Sequence, residues 1–408
     1  MLRVVVYSSL FCLIILTVYV RYSQKPSGEP EEVAVASPAS ATAPSPQKPL
    51  PSDIQDPSDD GTSLTVNLGT PSLIVNPQAM PGNNELASKA LEKFRSGDYE
   101  GAAGLFKELA ETDKSAFSAV GMSYFRLGNY QTANEYFEKA IESDSHDFVA
   151  RKALAFSYYK LDNLEKSIEH TGKGLSLVPD PELQTLLERL RKEKNTQRNF
   201  IEESTAHFKV LFDGYEHGKI DREVVRILED AYRFVGKEMG HFPAGSITVV
   251  LNTSSDFFDT TGAPHWSGGI YDGKIRIPIR GAEGQGELLK KVLFHEYTHA
   301  VVHSITRRCP RWIDEGLAEY FSAGNQQKIG QLIPLRNIEN SFLGLSNRNV
   351  HIAYQESYSA VSYLIEKYGM HRMKEMLESL SKGSDPDQAF RNAFSKTYAD
   401  FIREWGKT

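Results

Sequence analysis

Apolar positions in residues 287–303 recur at helical spacing, with Leu288, Leu289, Val292 and Leu293 on one side and Lys290 and Lys291 on another. This spacing predicts an amphipathic helix, and the apolar run Phe294, Ala300, Val301, Val302 predicts that its second half is buried. A second amphipathic segment follows at residues 312–321. Upstream, alternation at residues 207–212 predicts a strand, residues 221–239 a helix, and the β-branched run 247–251 a buried strand. Asp272-Gly273 between alternating runs predicts a hairpin over residues 269–277. Ile275, Ile277 and Ile279 share one of its faces, and Lys274, Arg276 and Arg280 the other. Residues 325–350 follow no clear pattern. A helix with Val361, Leu364 and Ile365 comes next, and Asp385-Pro386 and Thr397 mark the starts of two short helices.

The first half of the chain has another rhythm. Gly97-Asp98-Tyr99, Gly128-Asn129-Tyr130 and Asp162-Asn163-Leu164 recur at spacings of 31 and 34 residues. Gly121, Tyr124, Ala133, Phe137 and Ala140 place small residues where two helices would touch, with bulky ones between. The pattern resembles tetratricopeptide repeats, about three of them with a closing helix at residues 181–194. Such repeats imply either a groove for a protein partner or a spacer packed on the rest of the chain.

Residues 4–20 hold no charge and are flanked by Arg3 on one side and by Arg21 and Lys25 on the other. They predict an uncleaved signal anchor, with a cleaved signal as the alternative. The chain is then expected to be membrane-anchored and single-pass, with its bulk periplasmic or extracellular. Residues 26–84, rich in Pro, Ala, Ser and Asp, read as a flexible tether. A net charge of −7 over 408 residues excludes a nucleic-acid footprint. Of the two cysteines, Cys12 lies in the predicted anchor and Cys309 stands alone, so no intramolecular disulfide is expected. Cys309 reads either as an inert thiol beside a turn proline or as a redox-active one.

The candidate chemistry lies in His295-Glu296-Tyr297-Thr298-His299. Residues four apart on a helix lie about 6 Å apart along its axis, so both imidazoles can reach one ion, with Glu296 beside them. This is the HExxH arrangement, two neutral imidazoles on zinc and a Glu that takes a proton from the bound water. A buried carboxylate also wants a partner. Catalytic zinc needs three protein ligands, and Glu315, on the segment folded back after Cys309-Pro310, is the candidate third. His303 is too far along the axis from His295, about 12 Å, to complete the set.

The stretch 295–299 followed by Trp312-Ile313-Asp314-Glu315-Gly316-Leu317-Ala318-Glu319-Tyr320 resembles the gluzincin branch of zinc metallopeptidases, including aminopeptidase N-like and thermolysin-like enzymes. The resemblance covers roughly the last half of the chain and is sharp only at these motifs. It implies one Zn2+ per chain held by His295, His299 and Glu315, with Glu319 orienting a ligand histidine. The metzincin pattern would instead need a histidine where Ile305 stands. The resemblance further implies a tyrosine at the head of a later helix that stabilises the oxyanion; Tyr354 is the matching position, with Tyr358 the alternative. It makes the 269–277 hairpin the candidate edge strand for substrate, with Trp266, Gly268 and Gly269 lining the approach. The aminopeptidase Gly-Ala-Met-Glu-Asn type motif for a substrate amine is absent, which leaves endopeptidase action on an extended segment.

The expected fold class is α+β: an N-terminal membrane helix at 1–25, a linker at 26–84, all-α tetratricopeptide-like repeats at 85–197, and a zincin-like domain at 198–408. That domain should hold a small mixed sheet, the HExxH helix and a helical C-terminal part. The expected function is a membrane-anchored zinc metallopeptidase acting on a peptide or protein, with Glu296 as general base. The alternatives are a tetratricopeptide scaffold whose peptidase-like domain is silent, and zinc-dependent hydrolysis of something other than a peptide.

Overall fold

Each repeat turn is built on a residue with positive φ followed by a capping side chain. Gly97 (φ 85°), Gly128 (75°) and Asp162 (59°) take the left-handed conformation. Asp98, Asn129 and Asn163 then accept hydrogen bonds from the backbone N–H groups of Gly101, Thr132 and Lys166. The turns join α1 (Pro81–Ser96) to α2 (Tyr99–Ala110), α3 (Ala116–Arg126) to α4 (Tyr130–Ser143), and α5 (Phe148–Lys160) to α6 (Leu164–Leu177). A closing helix follows, α7 (Pro181–Thr196), capped by Asp180. Small and aromatic residues interlock between the helices: a Cβ on Gly121 would lie 2.7 Å from the Phe137 ring.

In the computed structural model the described residues are 81–213, 220–261, 268–278, 286–323, 328–342 and 345–406. All belong to one compact unit, Gln55–Thr408. After the repeats come β1 (Phe200–Ser204), β2 (Phe208–Asp213), α8 (Ile220–Met239), β3 (Ile247–Asn252), α9 (Ser254–Thr261), β4 (Ile270–Tyr271) and β5 (Ile275–Pro278). The sheet order is β1-β2-β3-β5-β4. The β1/β2 and β4/β5 pairs are antiparallel, while β2/β3 and β3/β5 are parallel, so the sheet is mixed and β4 lies at its edge. Val224, Leu228 and Val235 of α8 pack with Phe208, Val210, Val249, Leu251, Ile275 and Ile277 in one core. The remaining helices are α10 (Gly286–Ile305), α11 (Arg311–Ala323), α12 (Asn347–Tyr368), α13 (Met370–Ser381), α14 (Pro386–Phe394) and α15 (Tyr398–Trp405). Asp385 and Thr397 cap α14 and α15, at the two starts that their side chains predict.

The chain is thus helical repeats followed by a small mixed sheet and a helical part. Its sequence pattern did not foretell β1 or α9. Strand β1 has no buried side chain and so carries no apolar alternation to read. In the unpatterned stretch, a single turn at Leu335–Ile338 precedes the start of α12 at Asn347.

Membrane anchoring, and the periplasmic or extracellular placement drawn from it, is corrected. Among the described residues no helix is long and apolar enough to cross a membrane. The longest, α12, has 22 residues but carries Arg348, His351, Glu356, Glu366 and Lys367. A span needs about 20 predominantly apolar residues. Residues 4–20, the tether up to residue 80, and Trp266, Ile279 and Arg280 lie outside the described residues.

Candidate metal centre

Helix α10 is buried over Leu289, Leu293, Phe294 and Glu296–Val302, and its helical period sets His295 and His299 side by side. Their Nε2 atoms are 3.2 Å apart. Five residues connect α10 to α11, and the Pro310 carbonyl accepts from the N–H groups of Ile313 and Asp314 to start the new helix. One turn in, Glu315 faces the histidines, its Oε2 lying 3.2 Å from His295 Nε2 and 3.5 Å from His299 Nε2. That oxygen is buried and accepts no well-aligned hydrogen bond. Around a tetrahedral ion with bonds of about 2.1 Å, ligand atoms lie about 3.4 Å from one another. The three atoms are spaced as that ion requires.

Acids on α11 hold the far side of each imidazole. Asp314 Oδ1 lies 2.8 Å from His299 Nδ1, and Glu319 Oε1 3.3 Å from His295 Nδ1. These carboxylates draw the ring protons to Nδ1, leaving both Nε2 lone pairs aimed at Glu315 Oε2. Two lone pairs and a carboxylate oxygen converging in a buried place repel one another, and a cation or added protons must relieve them. Without a metal, protons do so. Burial pulls His295 down, but Glu315 and Glu319 outweigh it and push it up to about 9. His299 is raised further, because Asp314 and Glu315 overcome the same burial. The donor set, two imidazoles and one carboxylate, suits zinc.

Glu296 is buried beside the pair, and burial raises its carboxyl above the usual range. A Cβ on Gly269 would meet Glu296 Oε1, Ile277 and Val292 at 2.9 Å each, so the backbone leading into β4 runs directly against this carboxylate. Tyr354 reaches the cluster from α12, its hydroxyl 3.4 Å from Glu315 Oε1 and its ring packed edge-on against Phe342. Tyr358, one turn further on, is buried near Tyr320. Tyr354 is therefore the tyrosine brought to the cluster, two turns inside α12. Its approach depends on Gly316: a Cβ there would lie 2.4 Å from the Ser357 carbonyl oxygen.

Sequence reasoning missed two residues. Asp314 binds His299 and also His303, whose Nε2 is 3.1 Å from its Oδ2. Burial alone would raise the Asp314 carboxyl, but these two histidines hold it well below its usual range. Arg311 donates to Glu315 Oε1 at 2.6 Å. Each left a signal. Arg311 and Glu315 are four apart on one helix, and the adjacent acids Asp314 and Glu315 among Trp312, Ile313 and Leu317 cannot both face solvent. His299, His303 and Asp314 form a second group within metal-binding reach, but there the carboxylate already pairs with both rings. Cys309 is 4% exposed, and burial pushes its thiol well up, which makes it inert.

A family model described as Peptidase MA superfamily matches residues 237–407, which contain the whole cluster. A second, described as Tetratricopeptide repeat, matches residues 124–190. No curated protein matches the chain significantly.

Proposed function

With a Peptidase MA superfamily domain behind tetratricopeptide repeats the chain is peptidase-like, and we propose that it is a zinc-dependent endopeptidase. The observation that carries this reading is the buried Glu315 Oε2, without a well-aligned hydrogen bond and set at ligand spacing from two imidazole nitrogens. His295, His299 and Glu315 would hold one zinc ion, with Asp314 and Glu319 orienting the histidines. When bound, zinc supplies Lewis-acid polarisation of the scissile carbonyl and lowers the pKa of a water in its open fourth position.

The rest falls to the chain's own groups. Glu296, with its carboxyl raised by burial, has the basicity to take a proton from the attacking water and return it to the leaving amine. The Tyr354 hydroxyl, 3.4 Å from Glu315 Oε1, would serve as donor to the developing oxyanion. Edge strand β4 runs in beside Glu296, where an extended peptide would add as a further strand. The repeats point to protein interaction.

Metal analysis of the purified full chain, followed by cleavage assays on an unfolded protein, tests the proposal. One equivalent of zinc should be found. Glu296→Gln should retain the metal while lowering kcat by about 10²–10⁴-fold. Zinc present with cleavage independent of Glu296, or with none, would sink it and favour a scaffold with a silent peptidase-like domain.

A further inference from the structure

Two cations on the same side of the β4–β5 hairpin, Lys274 just before β5 and Arg276 within it, are fully buried, each 0% exposed. Apart from the Arg276–Asp272 pair inside the hairpin, at 3.3 Å, their partners come from the repeats. Lys274 Nζ lies 2.5 Å from Asp162 Oδ1 and 2.9 Å from Glu193 Oε1. Arg276 Nη2 lies 3.0 Å from Glu193 Oε2 and donates to the Tyr159 hydroxyl at 2.9 Å. Asp272, at the hairpin turn, pairs with Arg189 at 2.6 Å, and its carbonyl accepts from Lys160. The tip of the β4–β5 hairpin is thereby inserted among α5, the turn after it, and α7.

A second attachment leaves from the connection between α10 and α11, the helices that carry the candidate ligands. The Arg308 guanidinium covers Gly97, where a Cβ would meet its Nη1 at 2.1 Å, and donates to the Ser96 carbonyl at 3.5 Å. Arg307 lies over the Tyr130 ring at 5.1 Å and within 3.0 Å of a Cβ built on Gly128. The three positive-φ turns, Gly97, Gly128 and Asp162, are therefore each met by cations from outside the repeats: Arg308 at the first, Arg307 at the second, and Lys274 together with Lys209 at the third. These turns follow helix C-termini, where unpaired carbonyls favour positive charge. A match in register at three successive turns marks a fitted surface rather than chance packing.

From this face the contacts run on to the cluster. Tyr271 of β4 packs against His303 with ring centres 5.4 Å apart. His303 binds Asp314, and Asp314 binds His299. We infer that the repeats act as an internal clamp: by gripping the β4–β5 turn and the α10–α11 connection at three successive repeat turns, they fix β4 against Glu296 and fix the two helices that carry the metal-binding triad. This face of the repeats has its partner within the chain. Naming the clamped site a metal centre rests on the proposed function, whereas the clamp itself is a matter of contacts.

Hydrogen exchange on the full chain tests the clamp, in Glu193→Gln and, because that variant removes a buried charge and can misfold, in the milder Arg307→Ala/Arg308→Ala. Exchange at residues 270–277 and 303–311 should quicken at least about tenfold, with residues 99–143 unchanged. Zinc affinity, read by chelator competition in the same samples, should fall about tenfold, and Arg307→Lys/Arg308→Lys should restore both. Unaltered exchange at the hairpin and the connection would overturn the clamp. Faster exchange there with unaltered zinc affinity would overturn its role in positioning the triad. A parent chain that takes up no zinc would count against the metal reading alone, and exchange would still decide the clamp.

Discussion

The two oxygens of Glu315 face different neighbours, and this division is the main chemical feature of the site. Oε1 is held by Arg311 at 2.6 Å, while Oε2 is turned without a well-aligned hydrogen bond toward the two histidines. Arg311 thus fixes the carboxylate's orientation and leaves one oxygen free for a cation. Asp314 does the corresponding work for His299, holding Nδ1 at 2.8 Å so that Nε2 is turned toward Glu315 and its lone pair can be given to a cation. Asparagine in place of Asp314 keeps the shape but removes the charge that fixes the tautomer. Asp314→Asn is therefore expected to weaken zinc binding about 10–100-fold, measured by chelator competition. An unchanged affinity would show that His299 needs no orienting carboxylate.

Among the elements, the α11–α12 contact brings the third candidate ligand and Tyr354 together. It is possible because Gly316 presents no side chain where the α12 backbone crosses, at Ser357. Here the glycine is needed for close approach, not for a special φ. Gly316→Ala would push the helices apart and should cost at least about 1–3 kcal/mol, as overpacking does. The fall in Tm should come with weaker zinc binding, because Glu315 and Tyr354 stand on the two helices being separated. Parental Tm and zinc affinity in the alanine variant would refute this account of the glycine.

Across the whole molecule, repeats and sheet are joined by buried charges that salt screens poorly. Burial alone would raise the Glu193 carboxyl, but Arg276 and Lys274 outweigh it and hold it at about 2 instead of its ordinary 4.5. A carboxyl depressed in the folded state contributes stability that is complete above its unfolded value and lost as pH falls through its folded value. For Glu193 that window runs from pH 4.5 down to about 2. The amount is on the order of 3 kcal/mol. Asp272 acts in the same direction, held down by Arg276 and Arg189 against burial. Urea unfolding followed against pH should show stability falling across this window, and Glu193→Gln should flatten the slope. An equal slope in the variant would mean that other carboxyls carry the acid dependence.

Residues 295–299 put two imidazoles on one helical face, Asp272-Gly273 made a turn, and Gly or Asp before an Asx residue closed each repeat hairpin. All of this was legible in the chain, because each rests on backbone geometry and hydrogen bonds within a few residues. Glu315 was legible through motif resemblance, and its distance to the histidines through folding alone. The tertiary structure also decided the partners of Asp314, Glu319 and Arg311, the choice of Tyr354 over Tyr358 as the cluster's neighbour, and the burial of Lys274 and Arg276. The alternation of β5 separates two faces but does not say what covers the charged one. That depended on Tyr159 meeting Asp272 across 113 residues of sequence, a contact with no local periodicity to announce it.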